Sequence, residues 1–378
     1  MNFLFACGGT AGHINPALSI AAELLRMAPD AKTLFVGAGR ELENRLVPRA
    51  GHELVNIKMS GLKRSVSPDA LLHNVKTMKN LAAAGSQASS IIRGFKPDAV
   101  IGTGGYICYP VLRAAARAGI PTFIHESNAV PGLTTKLLSP IVDKVLVAFP
   151  GMESQYRKPE NVVFTGTPVR DGFAAARDRD TAVPDSPVKK PLVVSFWGSL
   201  GAERMNEVMA EFICLNEASK AFDHIHATGR GGSLEVLRKR LDQLDVPEVL
   251  TVGIEIREYI DDMPSVMSAA DIILCRAGGS TVAELTAVGK PAVLVPSPYV
   301  TNDQQVKNAE QVKKAGGAVV IFEKDCTGKI LFDTVVSILR DRTRLLSMSA
   351  AQEALGVQDA AKRIAELVMA ECNCILSP

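Results

Sequence analysis

The sequence predicts an α/β protein of two Rossmann-like domains whose parallel sheets face a central cleft. Short β-type segments alternate with longer segments of helical periodicity, which is the pattern of parallel sheets covered by helices. The alternation stops once, in a polar stretch with four prolines between residues 167 and 191, and then starts again. A chain of 378 residues is also longer than one ordinary domain. We therefore expect two similar domains joined by a linker.

The first half of the chain contains five clear strand segments. They are Asn2–Cys7, 33–36, 99–102, 122–125 and Lys144–Val147. The segment after the first strand, residues 16–27, carries Leu18, Ala21, Leu24 and Leu25 on one face, as expected of a helix that covers a sheet. The chain should therefore begin with a right-handed βαβ unit.

The second half repeats this scheme. Its predicted strands are 192–197, 224–228, 249–252, 271–274, 292–295 and 318–322. A helical segment at 351–369 follows, and we expect it to cross back onto the first domain. The predicted domains are thus 1–168 and 169–350, with 351–378 as a C-terminal helical segment.

Composition excludes several classes of function. The net charge is +2 and no block of like charges occurs, so nucleic acid is not an expected partner. Seven scattered cysteines do not form a disulfide framework, and the Cys372/Cys374 pair has no second pair to complete a zinc site. The N-terminus has no basic leader and no apolar stretch reaches the length of a spanning helix, which predicts a cytosolic protein with peripheral membrane contact.

The first strand leads into the glycine-rich segment Gly8-Gly9-Thr10-Ala11-Gly12-His13. Such a segment at a helix start lets backbone N–H groups approach an anion or a sugar closely, although a purely structural turn is an equal alternative. The segment differs from GxGxxG and no acidic residue ends the second strand, which disfavours a nicotinamide cofactor. His13 adds a proton acceptor near neutral pH.

Two more strands of the first domain end in segments of the same kind. Gly102-Thr103-Gly104-Gly105-Tyr106 follows one strand and His125-Glu126-Ser127-Asn128 follows the next. Each alone could be a structural turn. Because the carboxyl ends of parallel strands meet at one edge of a sheet, three such segments together favour a binding cleft.

The second domain offers candidates for a phosphate and a sugar. Trp197-Gly198-Ser199-Leu200-Gly201-Ala202 joins a strand to a helix, a ready phosphate site, and Arg170 either assists it or is a solvated cation. Glu284, after the turn Ala277-Gly278-Gly279, either binds ribose or complements the helix dipole. The neighbouring amides Gln304 and Gln305 suit sugar hydroxyls, and the absence of a Walker lysine argues against ATP hydrolysis.

Taken together, the ordered motifs resemble one family over nearly the whole chain. The motifs are GGTAGHINPAL, GRELENRLVPRAG, GTGGYICYP, HESNAVPGLTTK, GTPVR, GSLGA, EYIDDM, CRAGGSTVAE and NDQQVKNA. They resemble the MurG family, the UDP-N-acetylglucosamine:undecaprenyl-diphospho-muramoyl-pentapeptide N-acetylglucosaminyltransferases of glycosyltransferase family 28. The resemblance implies a GT-B glycosyltransferase fold and the transfer of N-acetylglucosamine onto a lipid-linked precursor in peptidoglycan synthesis.

The resemblance also implies roles for individual residues. The implied donor contacts are the Ile260 backbone for uracil, Glu284 for ribose, Ser199, Arg170 and Thr281 for the diphosphate, and Gln304, Gln305 and Asn128 for the sugar, together with Thr10 and Gly12. The implied acceptor contacts are Gly9, Gly12, Gly104, Gly105 and Tyr106. His13 is the implied general base on the C4 hydroxyl of the acceptor.

The implied chemistry is a single displacement that inverts the anomeric carbon, so an α-linked donor gives a β-1,4 product. No cofactor is required, and Mg²⁺ is expected at most in association with the donor diphosphate. Two departures from the family pattern stand out, Ala11 in the first loop and Trp197 in the second, where glycine is frequent. We expect Trp197 either to narrow the donor pocket or to fold outward.

The family also implies a peripheral location at the cytoplasmic face of the cell membrane, with anionic lipid and other cell-wall synthesis proteins as partners. Apolar and basic residues occur together at Leu62, Lys63 and Arg64 and along 71–79, although an ordinary amphipathic helix is an equal alternative. Three rival functions remain open: a lipid glucosyltransferase, a UDP-N-acetylglucosamine 2-epimerase, and a non-catalytic scaffold that binds UDP-sugar.

Overall fold

The computed structural model describes residues 1–59, 68–170, 172–173, 190–231 and 233–376, and for 68–81 and 373–376 it describes the backbone alone. The chain divides into two compact units. The first unit is Met1–Arg170 together with Asp359–Pro378, and the second unit is Asp171–Gln358.

The first unit contains a seven-stranded sheet covered by helices. Its strands are β1 (Asn2–Cys7), β2 (Lys32–Gly37), β3 (Glu53–Asn56), β4 (Ala99–Gly104), β5 (Thr122–Glu126), β6 (Lys144–Val147) and β7 (Val162–Phe164). Its helices are α1 (Ala11–Met27), α2 (Glu41–Arg49), α3 (Pro68–Phe95), α4 (Cys108–Arg117) and α5 (Leu133–Leu138). The strand order is β3-β2-β1-β4-β5-β6-β7, and every pairing is parallel.

The centre of this sheet is buried on both faces, because helices cover each side of a parallel sheet. Phe3, Leu4 and Phe5 of β1 are fully buried, and Phe5 stacks on Phe35 of β2 with ring centroids 4.8 Å apart. The carboxyl ends of β1, β4 and β5 lie side by side in the sheet, so the loops that follow them share one edge.

A C-terminal helix completes the core of the first unit. Helix α13 (Ala360–Leu376) packs against α1, and its buried Ile364, Ala365, Val368 and Cys372 belong to the same apolar cluster as Ile14 of α1. The Sγ of Cys372 also lies 3.5 Å from the carbonyl oxygen of Asp98.

The second unit contains a six-stranded parallel sheet. Its strands are β8 (Leu192–Phe196), β9 (Asp223–Ala227), β10 (Ile254–Arg257), β11 (Ile272–Cys275), β12 (Ala292–Leu294) and β13 (Ala318–Val320). Its helices are α6 (Glu203–Ser219), α7 (Ser233–Asp242), α8 (Met263–Ala269), α9 (Gly279–Val288), α10 (Gln304–Ala315), α11 (Gly328–Arg340) and α12 (Arg342–Leu355). The strand order β10-β9-β8-β11-β12-β13 matches that of β1–β6, so each sheet has the third-second-first-fourth-fifth-sixth order of the Rossmann fold.

One strand of the second unit was predicted at the wrong place. The predicted strand 249–252 is a loop in which Val249 and Val252 are 86% and 95% exposed, and the strand is β10. Gly253, with φ of +100°, turns the chain into β10. Only from Ile254 onward do alternate side chains face the sheet core, and this two-residue period defines a strand.

Helix boundaries differ from prediction at two places. Helix α1 begins at Ala11 and not at residue 16, so Pro16 lies inside the helix, where it cannot donate to the carbonyl of Gly12. The predicted segment 351–369 is two helices, the end of α12 and the start of α13, and residues 351–358 belong to the second unit. The break occurs at Gly356, where a Cβ would lie 2.7 Å from the carbonyl oxygen of Thr286.

Candidate functional site

The segment 8–13, called here the His13 loop, joins β1 to α1. Gly9 has φ of +91°, which favours glycine, and Thr10 precedes the helix in an extended conformation. Because α1 begins at Ala11, Gly12 and His13 belong to its first turn, and the N–H groups of His13 and Ile14 both bond the carbonyl of Thr10. The positive end of the α1 dipole therefore lies directly beside the His13 side chain.

The imidazole of His13 has a fixed orientation. Its Nδ1 lies 2.8 Å from the carbonyl oxygen of Gly8, which can only accept, so Nδ1 carries the proton and Nε2 is the basic nitrogen. The Oγ1 of Thr103 donates to the His13 carbonyl at 2.7 Å. A Cβ on Gly104 would lie 2.3 Å from His13 Cδ2, so the ring packs directly against bare backbone. The ring is half-buried, which leaves it accessible to a substrate.

Glu43, for which no role was predicted from the sequence, anchors the His13 loop. This fully buried side chain accepts hydrogen bonds from the N–H of Gly9 at 2.8 Å, of Ala38 at 2.7 Å and of Arg40 at 3.1 Å. The N–H of Gly9 is therefore donated to Glu43 in this structure. The sequence shows this glutamate only at a capping-box position in the first turn of α2, which is equally typical of an exposed helix start.

The loop after β4 brings Gly104, Gly105 and Tyr106 against the His13 loop. Gly104 and Gly105 have φ of +123° and +89°, and a Cβ on Gly105 would lie 2.5 Å from the carbonyl oxygen of Gly8. The Tyr106 hydroxyl accepts from Arg40 Nε at 3.3 Å, and the Arg40 guanidinium lies 5.7 Å from the centre of the Tyr106 ring. Only glycine permits this approach, so the two predicted glycine loops form one packed surface.

The loop after β5 is organised by a second buried carboxylate. Glu126 Oε1 accepts from the N–H of Asn128 at 3.1 Å and from its Nδ2 at 2.9 Å. Its Oε2 accepts from Gly132 N at 2.8 Å and Thr135 Oγ1 at 2.7 Å. Burial lowers the pKa of the neighbouring His125, whose Nε2 lies 3.1 Å from the Gly166 carbonyl oxygen, so this histidine is neutral. The amide of Asn128 is thus held in one orientation.

In the second unit, the segment 197–202, called here the Ser199 loop, joins β8 to α6. Gly198 and Gly201 have φ of +97° and +76°, and a Cβ on Gly201 would lie 2.1 Å from the carbonyl oxygen of Thr228. The Ser199 carbonyl accepts from Arg230 N at 3.1 Å, while the Ser199 side chain is exposed. Trp197 is 3% exposed and packs into the core, so the expectation that it might fold outward is wrong.

Helix α9 carries two predicted donor contacts. Thr281 lies in its first turn and Glu284 in the second, and the first turn contains no acidic residue. Glu284 therefore lies beyond the turn in which an acid complements the helix dipole most strongly, which favours the ribose interpretation. Before this helix, Arg276 and Glu323 form a buried ion pair of 2.6 Å, and Arg276 also donates to the Val295 carbonyl at 3.0 Å.

The remaining donor candidates also follow strands of the second sheet. Ile260 follows β10 and is 2% exposed. Gln304 and Gln305 begin α10, and the Oε1 of Gln305 accepts from Ser297 N at 2.8 Å. Gln305 also lines a cavity of about 620 Å³. The other residues of its lining include Trp197, Gly201, Arg204, Arg276, Ser297 and Tyr299.

Each unit thus gathers its own predicted residues at the carboxyl edge of its sheet. His13, Gly104 and Gly105 are in contact, whereas Arg170 is an exposed residue at the end of the first unit. The predicted membrane patch at 62–64 and the side chains of 71–79 lie outside the described residues. Within the part of the chain that the structure describes, no group of three metal-ligating side chains occurs, and no helix is long and apolar enough to span a membrane.

Two Rossmann-type sheets with glycine loops at their carboxyl edges define the GT-B class of two-domain α/β proteins. The solved structures that this fold resembles include MurG of Acinetobacter baumannii, with a TM-score of 0.75, 26% identity, and coverage of 97% of this chain and 99% of that one. They also include a putative UDP-N-acetylglucosamine 2-epimerase from Listeria monocytogenes, with a TM-score of 0.69 over 98% and 96% of the two chains. At 12% identity, the epimerase shows a shared fold alone.

Sequence comparisons identify the family. The model of the glycosyltransferase family 28 N-terminal domain matches residues 3–147, and that of the C-terminal domain matches residues 192–364. An enzyme of Acetivibrio thermocellus named UDP-N-acetylglucosamine--N-acetylmuramyl-(pentapeptide) pyrophosphoryl-undecaprenol N-acetylglucosamine transferase is 42% identical over 97% of both chains. A Bacillus cereus protein of the same name is 39% identical over 97% of this chain and 98% of its own. The chain belongs to glycosyltransferase family 28 and, within it, to the MurG group, which confirms the predicted family and fold class.

Proposed function

We propose that this protein transfers N-acetylglucosamine from UDP-N-acetylglucosamine to the C4 hydroxyl of undecaprenyl-diphospho-N-acetylmuramoyl-pentapeptide. Relatives at 39–42% identity over nearly the whole chain carry names that state this transfer. The observation that carries the mechanism is the geometry of His13, whose Nδ1 is bound to Gly8 and whose Nε2 is basic. An imidazole of that form can take the proton of an attacking hydroxyl.

In this proposal the first unit binds the acceptor. Its diphosphate lies at the N-terminus of α1, where the N–H groups of Ala11 and Gly12 have no acceptor within the described residues. Gly104, Gly105 and Tyr106 form the adjoining wall. His13 takes the hydroxyl proton while the sugar leaves UDP with inversion.

The second unit binds the donor in the same proposal. Glu284 binds ribose, the Ile260 backbone binds uracil, and the exposed Ser199 and the first turn of α9 at Thr281 bind the diphosphate. Gln304 and Gln305 select the sugar. A Mg²⁺ ion associates with the diphosphate at most as a counterion, so EDTA should lower the rate by less than about threefold, since charge there is stabilised by helix N-termini.

We further propose a peripheral location at the cytoplasmic face of the membrane, where the lipid-linked acceptor and anionic lipids would be met. Co-sedimentation with vesicles containing anionic lipid, in comparison with neutral vesicles, tests this. Replacement of Lys76 and Lys79 by glutamate should weaken binding because the attraction to anionic lipid is lost. Unchanged binding would contradict the lysine assignment. Recruitment by other cell-wall synthesis proteins would appear as membrane binding that requires such a partner.

The decisive experiment incubates the protein with UDP-[¹⁴C]N-acetylglucosamine and a short-chain lipid-linked muramoyl-pentapeptide. Label in the extracted lipid that depends on the acceptor is the expected result. Free labelled N-acetylmannosamine without lipid label would indicate an epimerase, and label from UDP-glucose alone would indicate a glucosyltransferase. Binding of UDP-sugar without any turnover would indicate a non-catalytic scaffold.

A further inference from the structure

One peptide group in the His13 loop lies between a carboxylate and the imidazole. The N–H of Gly9 donates to Glu43 Oε1 at 2.8 Å, and the carbonyl oxygen of Gly8 lies 2.8 Å from His13 Nδ1. This carbonyl and this N–H belong to the same peptide bond. Glu43, the Gly8–Gly9 peptide and His13 therefore form one continuous hydrogen-bonded chain.

Glu43 is suited to act as a fixed negative end of this chain. Its side chain is fully buried, and three backbone N–H groups point at its two oxygens. Because N–H groups can only donate, the two oxygens of Glu43 act as acceptors in all three bonds. A charge placed at one end of a hydrogen-bonded chain polarises the bonds that follow it.

The packing leaves little freedom for this chain to rearrange. A Cβ on Gly8 would lie 2.4 Å from Glu43 Oε1, and a Cβ on Gly105 would lie 2.5 Å from the Gly8 carbonyl oxygen. A Cβ on Gly104 would meet the His13 ring itself at 2.3 Å. The peptide is thus enclosed by glycine backbone on one side and by the carboxylate on the other.

We propose that Glu43 is a positioning residue for the general base. It acts through the Gly8–Gly9 peptide to hold the proton on Nδ1 of His13 and to stabilise the imidazolium that forms during transfer. This inference rests on the proposed transfer reaction. In that step the acceptor hydroxyl oxygen bonds the anomeric carbon, the electron pair of the broken bond leaves with the UDP oxygen, and the hydroxyl proton moves to His13 Nε2.

The other titratable groups near the hydrogen-bonded chain of Glu43 and His13 are either neutral or engaged by other partners. Burial raises the pKa of the Cys7 thiol, which lies near Glu43, and burial lowers the pKa of His125, which lies near His13. Both are therefore uncharged near neutral pH. The exposed Arg40 guanidinium interacts with Glu43 but is directed to the Tyr106 hydroxyl. Glu126, which interacts with His125, is occupied by its four hydrogen bonds.

The test compares Glu43→Gln with Glu43→Asp, which keeps the charge, and with a matched control. Asp143→Asn is the control, because Asp143 Oδ2 likewise accepts from backbone and hydroxyl, at Thr122 N and Oγ1, but at the opposite edge of the sheet. The acid limb of kcat against pH and the KM for UDP-N-acetylglucosamine are measured for each variant. The ¹⁵N shifts of the His13 ring report which nitrogen carries the proton, with His13→Gln to assign the signals.

For Glu43→Gln we expect kcat to fall about tenfold and the acid limb to move about half a pH unit lower, since a neutral partner stabilises the imidazolium less. KM should stay within about twofold, because the donor contacts are elsewhere. Glu43→Asp and Asp143→Asn should keep the wild-type acid limb. In the wild type, the ring should carry its proton on Nδ1.

An unmoved acid limb in folded Glu43→Gln, or an equal shift in Asp143→Asn, would overturn the proposal. If Glu43→Gln does not fold, a wild-type His13 ring protonated mainly on Nε2 would overturn it as well. Failure of the proposed function is a separate outcome. In that case the wild type labels no lipid, while the ring nitrogens still report on the hydrogen-bonded chain.

Discussion

The His13 loop and the Ser199 loop occupy equivalent places in the two units. Each follows the first strand of a sheet with the same strand order, and each leads into a helix of 17 residues. The His13 loop contains an imidazole and is fixed by a buried carboxylate. The Ser199 loop is fixed by close backbone contact with Thr228 and contains no titratable side chain. In the proposed function, one topological position thus serves proton transfer in the first unit and anion binding in the second.

The largest expected effect comes from removing the imidazole that distinguishes the His13 loop from the Ser199 loop. His13→Ala should lower kcat about 10²–10⁴-fold, because general base catalysis contributes that much, with little change in KM for UDP-N-acetylglucosamine. Steady-state rates of lipid labelling measure both constants. His52→Gln is the control, since His52 bonds Thr33 at the opposite edge of the same sheet. If the His13→Ala protein kept the full rate of lipid labelling, His13 could not be the general base.

The next prediction compares how strongly the backbone conformation of each loop depends on its glycine. Gly201→Ala should destabilise the protein by about 3–4 kcal/mol, since it adds a clash with the Thr228 carbonyl to a strained backbone. Gly9→Ala meets nothing within 4 Å and should cost about 1–2 kcal/mol from its positive φ alone. Urea unfolding measures both. Equal losses would show that the two loops are held in the same way.

Acid should destabilise the second unit through a histidine cluster in its sheet. His224 and His226 are fully buried and both bond Ser195 Oγ, at 2.8 and 2.7 Å. Burial lowers the pKa of both, to about 4 for His226 from an ordinary 6.5. As the pH falls through this window the unfolded chain binds protons that the folded unit does not, so stability falls.

We therefore expect unfolding free energies, measured by urea titration, to fall between pH 6.5 and 4.5. His226→Leu should reduce this loss by about 1–3 kcal/mol, as expected for one buried group with a lowered pKa. The neutral-pH stability of the variant serves as its reference. The same pH slope in both proteins would contradict the assignment.

The smallest expected effect concerns donor binding by the second unit. Glu284→Gln should raise KM for UDP-N-acetylglucosamine about tenfold with kcat nearly unchanged, because a charge-assisted ribose contact is weakened in ground and transition states alike. Glu235→Gln, in the exposed first turn of α7, is a matched control. A fall in kcat without a rise in KM would place Glu284 in catalysis and not in binding.

Most strands could be predicted because a short apolar segment is a local feature of the sequence. The glycine loops could be predicted for the same reason, since glycine marks positions where the backbone needs unusual freedom. Strand β3 was missed because none of its side chains is fully buried, and the strand at 249–252 was misplaced because its valines face solvent. The start of α1 was missed because Pro16 favours a helix start.

The roles of Glu43 and Glu126 could not be predicted from sequence. Glu43 accepts from Gly9, which lies 34 residues away, so its role depends on two segments that the fold brings together. Glu126 accepts from Asn128, Gly132 and Thr135, so its role depends on the exact path of the loop that follows β5. An acidic residue in such a motif is equally typical of an exposed helix start. Trp197 shows the converse, since its burial depends on packing with Val193 and Val295.

The position of α13 has a consequence for how the nascent chain folds during translation. The second unit is continuous in sequence, whereas the first needs Ile364, Ala365 and Val368 to fill its core. We therefore expect the segment synthesised first to complete its core only after these residues have left the ribosome, with the apolar face of α1 uncovered until then.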